Sequence, residues 1–119
     1  MIKIVDKVWG REEWLVNNEL YCAKFLYLKI NHRCSLHYHA KKDETFYVLE
    51  GVVYIETIKS KNMGVDKQKL ILQKGDSIRI ARGVTHRFTG LAPSKILEVS
   101  TTHEDSDSYR FELSGVLTK

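Results

Sequence analysis

Apolar positions along this chain do not recur at a helical period over any long window. They come in short runs: "LYCAKFLYLKI" (20–30), "ETFYVLEGVVYIETI" (44–58), "KLILQ" (69–73), "DSIRIA" (76–81), "THRFTG" (85–90), "SKILEVST" (94–101) and "SYRFEL" (108–113). These runs are rich in β-branched and aromatic residues, which suit a half-buried pleated surface, and they predict strands. Turn formers divide them: Asn17–Asn18, Glu50–Gly51, Asn62 with Gly64, Gly75–Asp76, and Gly90 through Pro93. "GREEWLV" (10–16) reads as a helical turn or a further strand, and the asparagine pair after it, which suits a hairpin turn, favours the strand. Many short strands with turns between them predict an all-β sandwich or barrel.

One of these strands carries metal-capable side chains. In "LHYHAKKDETFYVLEG" (36–51), His37 and His39 stand two apart, and Glu44 and Gly51 follow. Residues i and i+2 of a strand share a face, so the two imidazoles project together and Tyr38 lies on the other side. Glu44 enters at the start of the next strand, after the turn "AKKD". A second segment, "GDSIRIARGVTHRF" (75–88), supplies His86 three residues after Gly83. An antiparallel barrel can bring it opposite the first cluster. Three imidazoles and one carboxylate suit a divalent transition metal (Zn, Mn, Fe, Ni or Co), with a position left open for substrate or water. Such groups are costly to bury unless something satisfies them. His32, at a turn, and His103, in a polar stretch, read as surface residues.

Composition narrows the picture. A chain of 119 residues has room for one domain (1–119) and one core. The formal charge of +4 suits an anionic small molecule, but the basic residues are scattered and no Lys/Arg stripe is interleaved with aromatics. Nucleic acid is therefore not an expected partner. No apolar run has the length of a membrane span, and the N-terminus does not have the form of a secretory signal, so the expected location is cytoplasmic. Cys22 and Cys34 lack metal-type spacing and read as reduced, buried hydrophobes.

The two segments resemble the two motifs of the cupin superfamily. His37, His39, Glu44 and Gly51 fit the pattern G-x5-H-x-H-x3–4-E-x6-G, with Asn31 in place of the leading Gly. Gly75, Gly83 and His86 fit G-x5-P-x-G-x2-H-x3-N, with Ala81 for the Pro and Gly90 for the Asn. The resemblance implies a double-stranded β-helix, or jelly-roll, barrel with a metal inside, usually dimeric. Within cupins the chain is similar to the type II mannose-6-phosphate isomerase group, through "VWGREEW", the metal strand and the closing "ILEVSTTHEDSDSYRFE". That implies a metal-dependent sugar or sugar-phosphate isomerase working through an enediolate. A sugar-binding cupin without turnover, or an iron-dependent dioxygenase, are the alternatives.

An isomerase needs a base and an electrophile. Glu98, in "KILEVS", is the candidate base if it faces the pocket, and a solvated charge if it does not. Arg110, in "DSYRF", matches the closing Arg of the isomerase group and is expected either to orient substrate or to form a rim salt bridge with Asp105 or Asp107. Lys41 and Lys42 read as loop residues facing solvent, with a phosphate at the pocket mouth as the other possibility. Trp9 and Trp14 read as packing residues.

Overall fold

The computed structural model describes residues 2–116. Strands dominate it: β1 (Lys3–Lys7), β2 (Gly10–Asn17), β3 (Cys22–Leu28), β4 (His32–Arg33), β5 (Leu36–Tyr38), β6 (Glu44–Glu50), β7 (Val52–Lys61), β8 (Gly64–Gln73), β9 (Ser77–Ile80), β10 (Thr85–Gly90), β11 (Ser94–Ser100), β12 (Tyr109–Glu112) and β13 (Gly115–Val116). A single 3-10 turn, Asp105–Asp107, lies between β11 and β12. Among the described residues no helix is long and apolar enough to cross a membrane. The expected all-β jelly roll is therefore present, as two antiparallel sheets.

One sheet runs β1-β2-β3-β11-β6-β9 and the other β12-β5-β10-β4-β13, with β7 pairing the remaining edge of β10 and β8 pairing β7. Each expected run forms a strand, and "GREEWLV" does so as β2, closed by a turn in which the Asn18 N–H donates to Tyr21 O at 3.0 Å. Two differences arise. β8 begins at Gly64 rather than Lys69, because its first half is an exposed hairpin arm held by pairing to β7 rather than by burial. β1 is a strand although its residues are mostly charged and exposed. Pairing with β2 from Lys3↔Trp14 to Lys7↔Gly10 holds it there.

The core lies between the sheets, on the inward positions of each strand. Leu26, Leu28, Phe46, Val48, Val53, Ile55, Phe88 and Ile96 fill it, with Trp9 packed edge-on against Phe88. The same inward positions turn polar towards one end: Lys24 on β3, Glu44 on β6, His86 on β10 and Glu98 on β11 are all buried. Cys22 and Cys34 are buried free thiols, as expected.

Two of the three motif departures, Asn31 and Gly90, meet in space. Asn31 has φ 61°, the left-handed region that Asn tolerates better than other non-glycine residues. Its N–H donates to the carbonyl of Gly90 at 2.8 Å. A Cβ at Gly90 would lie 2.7 Å from Lys29 O, so glycine is needed there. Where the family pattern has Gly then Asn, this chain has Asn then Gly at two contacting positions, and the turn closes.

Candidate metal centre

β5 and β10 lie side by side with His37 directly opposite His86. β5 ends at Tyr38, so His39 stands just past it, fixed by its own carbonyl, which accepts the Gly83 N–H at 2.7 Å. That bond ties the two motifs together. Glu44 opens β6 and points inward. One ligand nitrogen from each of His37, His39 and His86 lies within 4.8 Å of the other two. Glu44 Oε2 is 3.2 Å from His39 Nε2 and 3.7 Å from His86 Nε2. The four side chains singled out in the sequence are thus brought together, three strongly buried and His37 partly so.

Hydrogen bonding fixes the orientation of each ring. His37 Nδ1 is 2.7 Å from Ser35 O, His39 Nδ1 2.8 Å from Asp107 O and His86 Nδ1 3.0 Å from Val84 O. A carbonyl only accepts, so each Nδ1 carries the hydrogen, and each neutral ring turns a bare Nε2 lone pair towards the others. Burial, then the charge of a neighbour, pushes His37 and His39 down to about 3 and His86 to about 4, so all three are neutral at pH 7.

Glu44 Oε2 has no hydrogen-bond partner although it is fully enclosed. An ionised oxygen there faces lone pairs, acceptor against acceptor, unless a proton or a cation stands between them. Burial, followed by the charge of Glu98, raises the Glu44 carboxyl well above the usual range. The donor set of three imidazole nitrogens and one orphaned carboxylate oxygen fits a divalent transition metal.

The site opens into a cavity of about 670 Å³. Its far wall is charged. Lys42 Nζ donates to Glu98 Oε2 at 3.3 Å and to His103 Nδ1 at 3.2 Å, and lies 4.0 Å from Glu44 Oε2. His103 Nε2 then donates to Asp105 Oδ1 at 2.8 Å. Lys24, one strand over, lies 3.6 Å from Glu12 Oε1 and 4.0 Å from the centre of the Trp14 ring.

The Cupin domain family matches residues 25–100 of this chain. The chain belongs to the cupin family. Solved structures of the same fold include KdgF from Halomonas sp., with TM-score 0.74, 17% identity, and 87% of this cupin covering 89% of that chain. Oxalate decarboxylase from Bacillus subtilis superposes with TM-score 0.80 at 14% identity, over 92% of this cupin and 30% of the enzyme. The capsular polysaccharide assembling protein CapF from Staphylococcus aureus gives 0.74 at 17% identity, over 95% and 35%. This cupin thus spans about a third of the last two chains. No curated protein sequence matches it.

Several expectations need correction. Lys42 does not solvate a loop: it is 3% exposed and points into the cavity, whereas Lys41 is exposed and pairs with Glu104. His103 is not a plain surface residue, since its ring lines the cavity against Trp14. Glu98 faces inward, the alternative that alternation alone left open. Arg110 also lines the cavity from the exposed strand β12, beside His37 across the β5 pairing. The rim pairs considered for it are used otherwise: Asp105 bonds His103 and Asp107 bonds backbone amides. Asp107, weighed in the sequence only as an ion-pair partner for Arg110, instead bonds the His39 ring and the turn after it.

The neutral histidines set a pH dependence for the chelated protein. An unfolded histidine takes its proton near pH 6.5 and the folded ones near 3 to 4. Between these values the unfolded state binds more protons, so stability falls as pH falls. Each histidine contributes about 1.4 kcal/mol per pH unit within that window. Glu44, raised in the fold, acts in the opposite sense, as one group against three. Urea midpoints of the metal-free protein are expected to drop between about pH 6.5 and pH 5. A flat or rising profile contradicts three buried neutral imidazoles.

Proposed function

We propose that this cupin is a metal-dependent enzyme acting on a sugar or sugar phosphate, by aldose–ketose isomerisation of the mannose-6-phosphate isomerase kind. The observation that carries the reading is one cavity holding both a convergent donor set and, facing it, the buried Lys42–Glu98 ion pair. A divalent metal held by His37, His39, Glu44 and His86 would supply Lewis acidity to substrate oxygens.

The remaining work falls to this chain's own side chains. Burial acts to raise the Glu98 carboxyl, but Lys42 and Lys24 together outweigh it and hold the group below the usual range. Glu98 is therefore ionised at any working pH and is placed to accept a proton from a substrate carbon. Its basicity rises when the Lys42 ammonium turns from it to a substrate oxygen. Arg110, at the cavity mouth, offers forked donors to a phosphate or carboxylate. CapF, which shares this fold, is a capsular polysaccharide assembling protein, and a sugar on this scaffold agrees with that. The reading includes a cytoplasmic homodimer whose partners are small molecules rather than nucleic acid or membrane. The low-lying Glu98 favours one second reading, a sugar-binding cupin without turnover, because so weak a base transfers protons poorly.

Proton NMR in D2O decides between them. The metal-loaded protein is mixed with aldoses, ketoses and their phosphates, with and without chelator. Chelator-sensitive conversion with deuterium entering next to the carbonyl is the expected result. Saturable line broadening with no conversion of any sugar assigns the binding role instead.

A further inference from the structure

Residues 101–116 lie outside the family match, yet they close the site. The link is Asp107, in the 3-10 turn and 4% exposed. Its carboxylate accepts three successive backbone N–H groups from the turn after His39. Oδ1 takes Ala40 at 2.9 Å and Lys41 at 3.1 Å, and Oδ2 takes Lys42 at 3.0 Å. Its carbonyl oxygen accepts the Nδ1–H of His39 at 2.8 Å. One residue therefore fixes both the ring of a candidate ligand and the turn that carries Lys42 into the cavity.

We propose that Asp107 is a positioning residue for the metal site, which holds the His39 lone pair inward and the 40–42 turn in register with it. The proposal rests on the metal reading of the histidine cluster, but it makes a claim about the metal-free protein too. Three charge-assisted bonds converge on one enclosed carboxylate. Without them the carbonyl of residue 107 is no longer anchored opposite His39, and the ring is free to exchange tautomers or turn. The other two rings take their bonds from Ser35 and Val84, within their own strands' approach, and do not depend on Asp107.

The test uses the full chain with Asp107→Asn, which keeps the volume and loses the charge, and Asp107→Ala. Ser106→Ala, on the same turn and exposed, is the control. In the metal-free protein, 15N NMR of labelled histidines is expected to show His39 alone leaving the Nδ1–H tautomer in Asp107→Asn, with His37 and His86 unchanged. Co²⁺ affinity, measured by chelator competition, is expected to fall about 10–100-fold, as for loss of an outer-shell partner. Ser106→Ala is expected to match the parent in Co²⁺ affinity. If Asp107→Ala fails to fold, Asp107→Asn carries the test. A variant with the parental His39 tautomer and the parental Co²⁺ affinity overturns the proposal. If the parent itself binds no Co²⁺, the metal reading fails, and the tautomer measurement still decides the positioning of His39.

Discussion

Glu44→Gln is expected to have two opposite effects: a fall in metal affinity of more than 100-fold and, at alkaline pH, a gain in stability of the metal-free protein. The loss should exceed the roughly 10–100-fold that removal of an outer-shell partner costs, because Glu44 is the only anionic donor of the set. The gain follows from the orphaned oxygen. Glu44 Oε2 is enclosed without a partner and faces the bare Nε2 of His39 at 3.2 Å and of His86 at 3.7 Å. Above the raised pKa of Glu44, where its carboxylate is ionised, a glutamine amide donates there and an acceptor clash becomes a hydrogen bond worth about 1–3 kcal/mol in avoided desolvation; below it the Glu44 proton already fills that role. Removing His37, His39 or His86 is expected to abolish affinity without that compensation. The measurements are thermal unfolding of the chelated proteins and Co²⁺ titration of each. A Glu44→Gln protein that binds Co²⁺ like the parent would remove Glu44 from the ligand set. One no more stable than the parent when chelated at alkaline pH would mean that the oxygen is already satisfied.

The second large effect concerns the opposite wall. Lys42→Met keeps the stem and deletes the ammonium, leaving the Glu98 carboxylate buried without its closest cation at 3.3 Å. Breaking a buried pair from one side costs about 3–5 kcal/mol. Lys24, the other cation acting on Glu98, places the expectation at the lower end. In Lys42→Met/Glu98→Gln the uncompensated charge is gone, and most of the stability should return. The cycle of four proteins, followed by urea denaturation, isolates the coupling between the two groups. Additive losses would show that Lys42 acts by packing alone. In the isomerase reading the double variant is stable but inactive, which separates the catalytic loss from the structural one.

The candidate ligands were legible because local rules place them. His37 and His39 share a face by strand alternation, Glu44 follows a turn, and His86 follows Gly83, whose φ of 79° suits glycine. The strands were legible for the same reason, except where burial was not what held them. β1 and the first half of β8 are exposed ribbons stabilised by pairing, so their apolar pattern is thin. The charged wall was not legible. Lys42 sits in a run, "AKKD", that reads as a solvated turn, and nothing local distinguishes it from Lys41.

What the sequence by itself determined, then, is the all-β class, the turns, and the shared strand face of His37 and His39, with Glu44 and His86 at spacings from which an antiparallel barrel can bring them in. Backbone sterics and side-chain alternation act within a few residues, and those features need nothing more. Only the tertiary structure decided that Glu98 points inward, because its parity is set by the register of β11 against β3 and β6, Glu98 facing Lys24 on one side and Phe46 on the other. It also decided that Lys42 turns into the cavity, since the carboxylate that folds its loop, Asp107, comes from 65 residues away in the chain. A buried charge goes where distant partners can satisfy it, and that placement is a property of the closed barrel rather than of any segment.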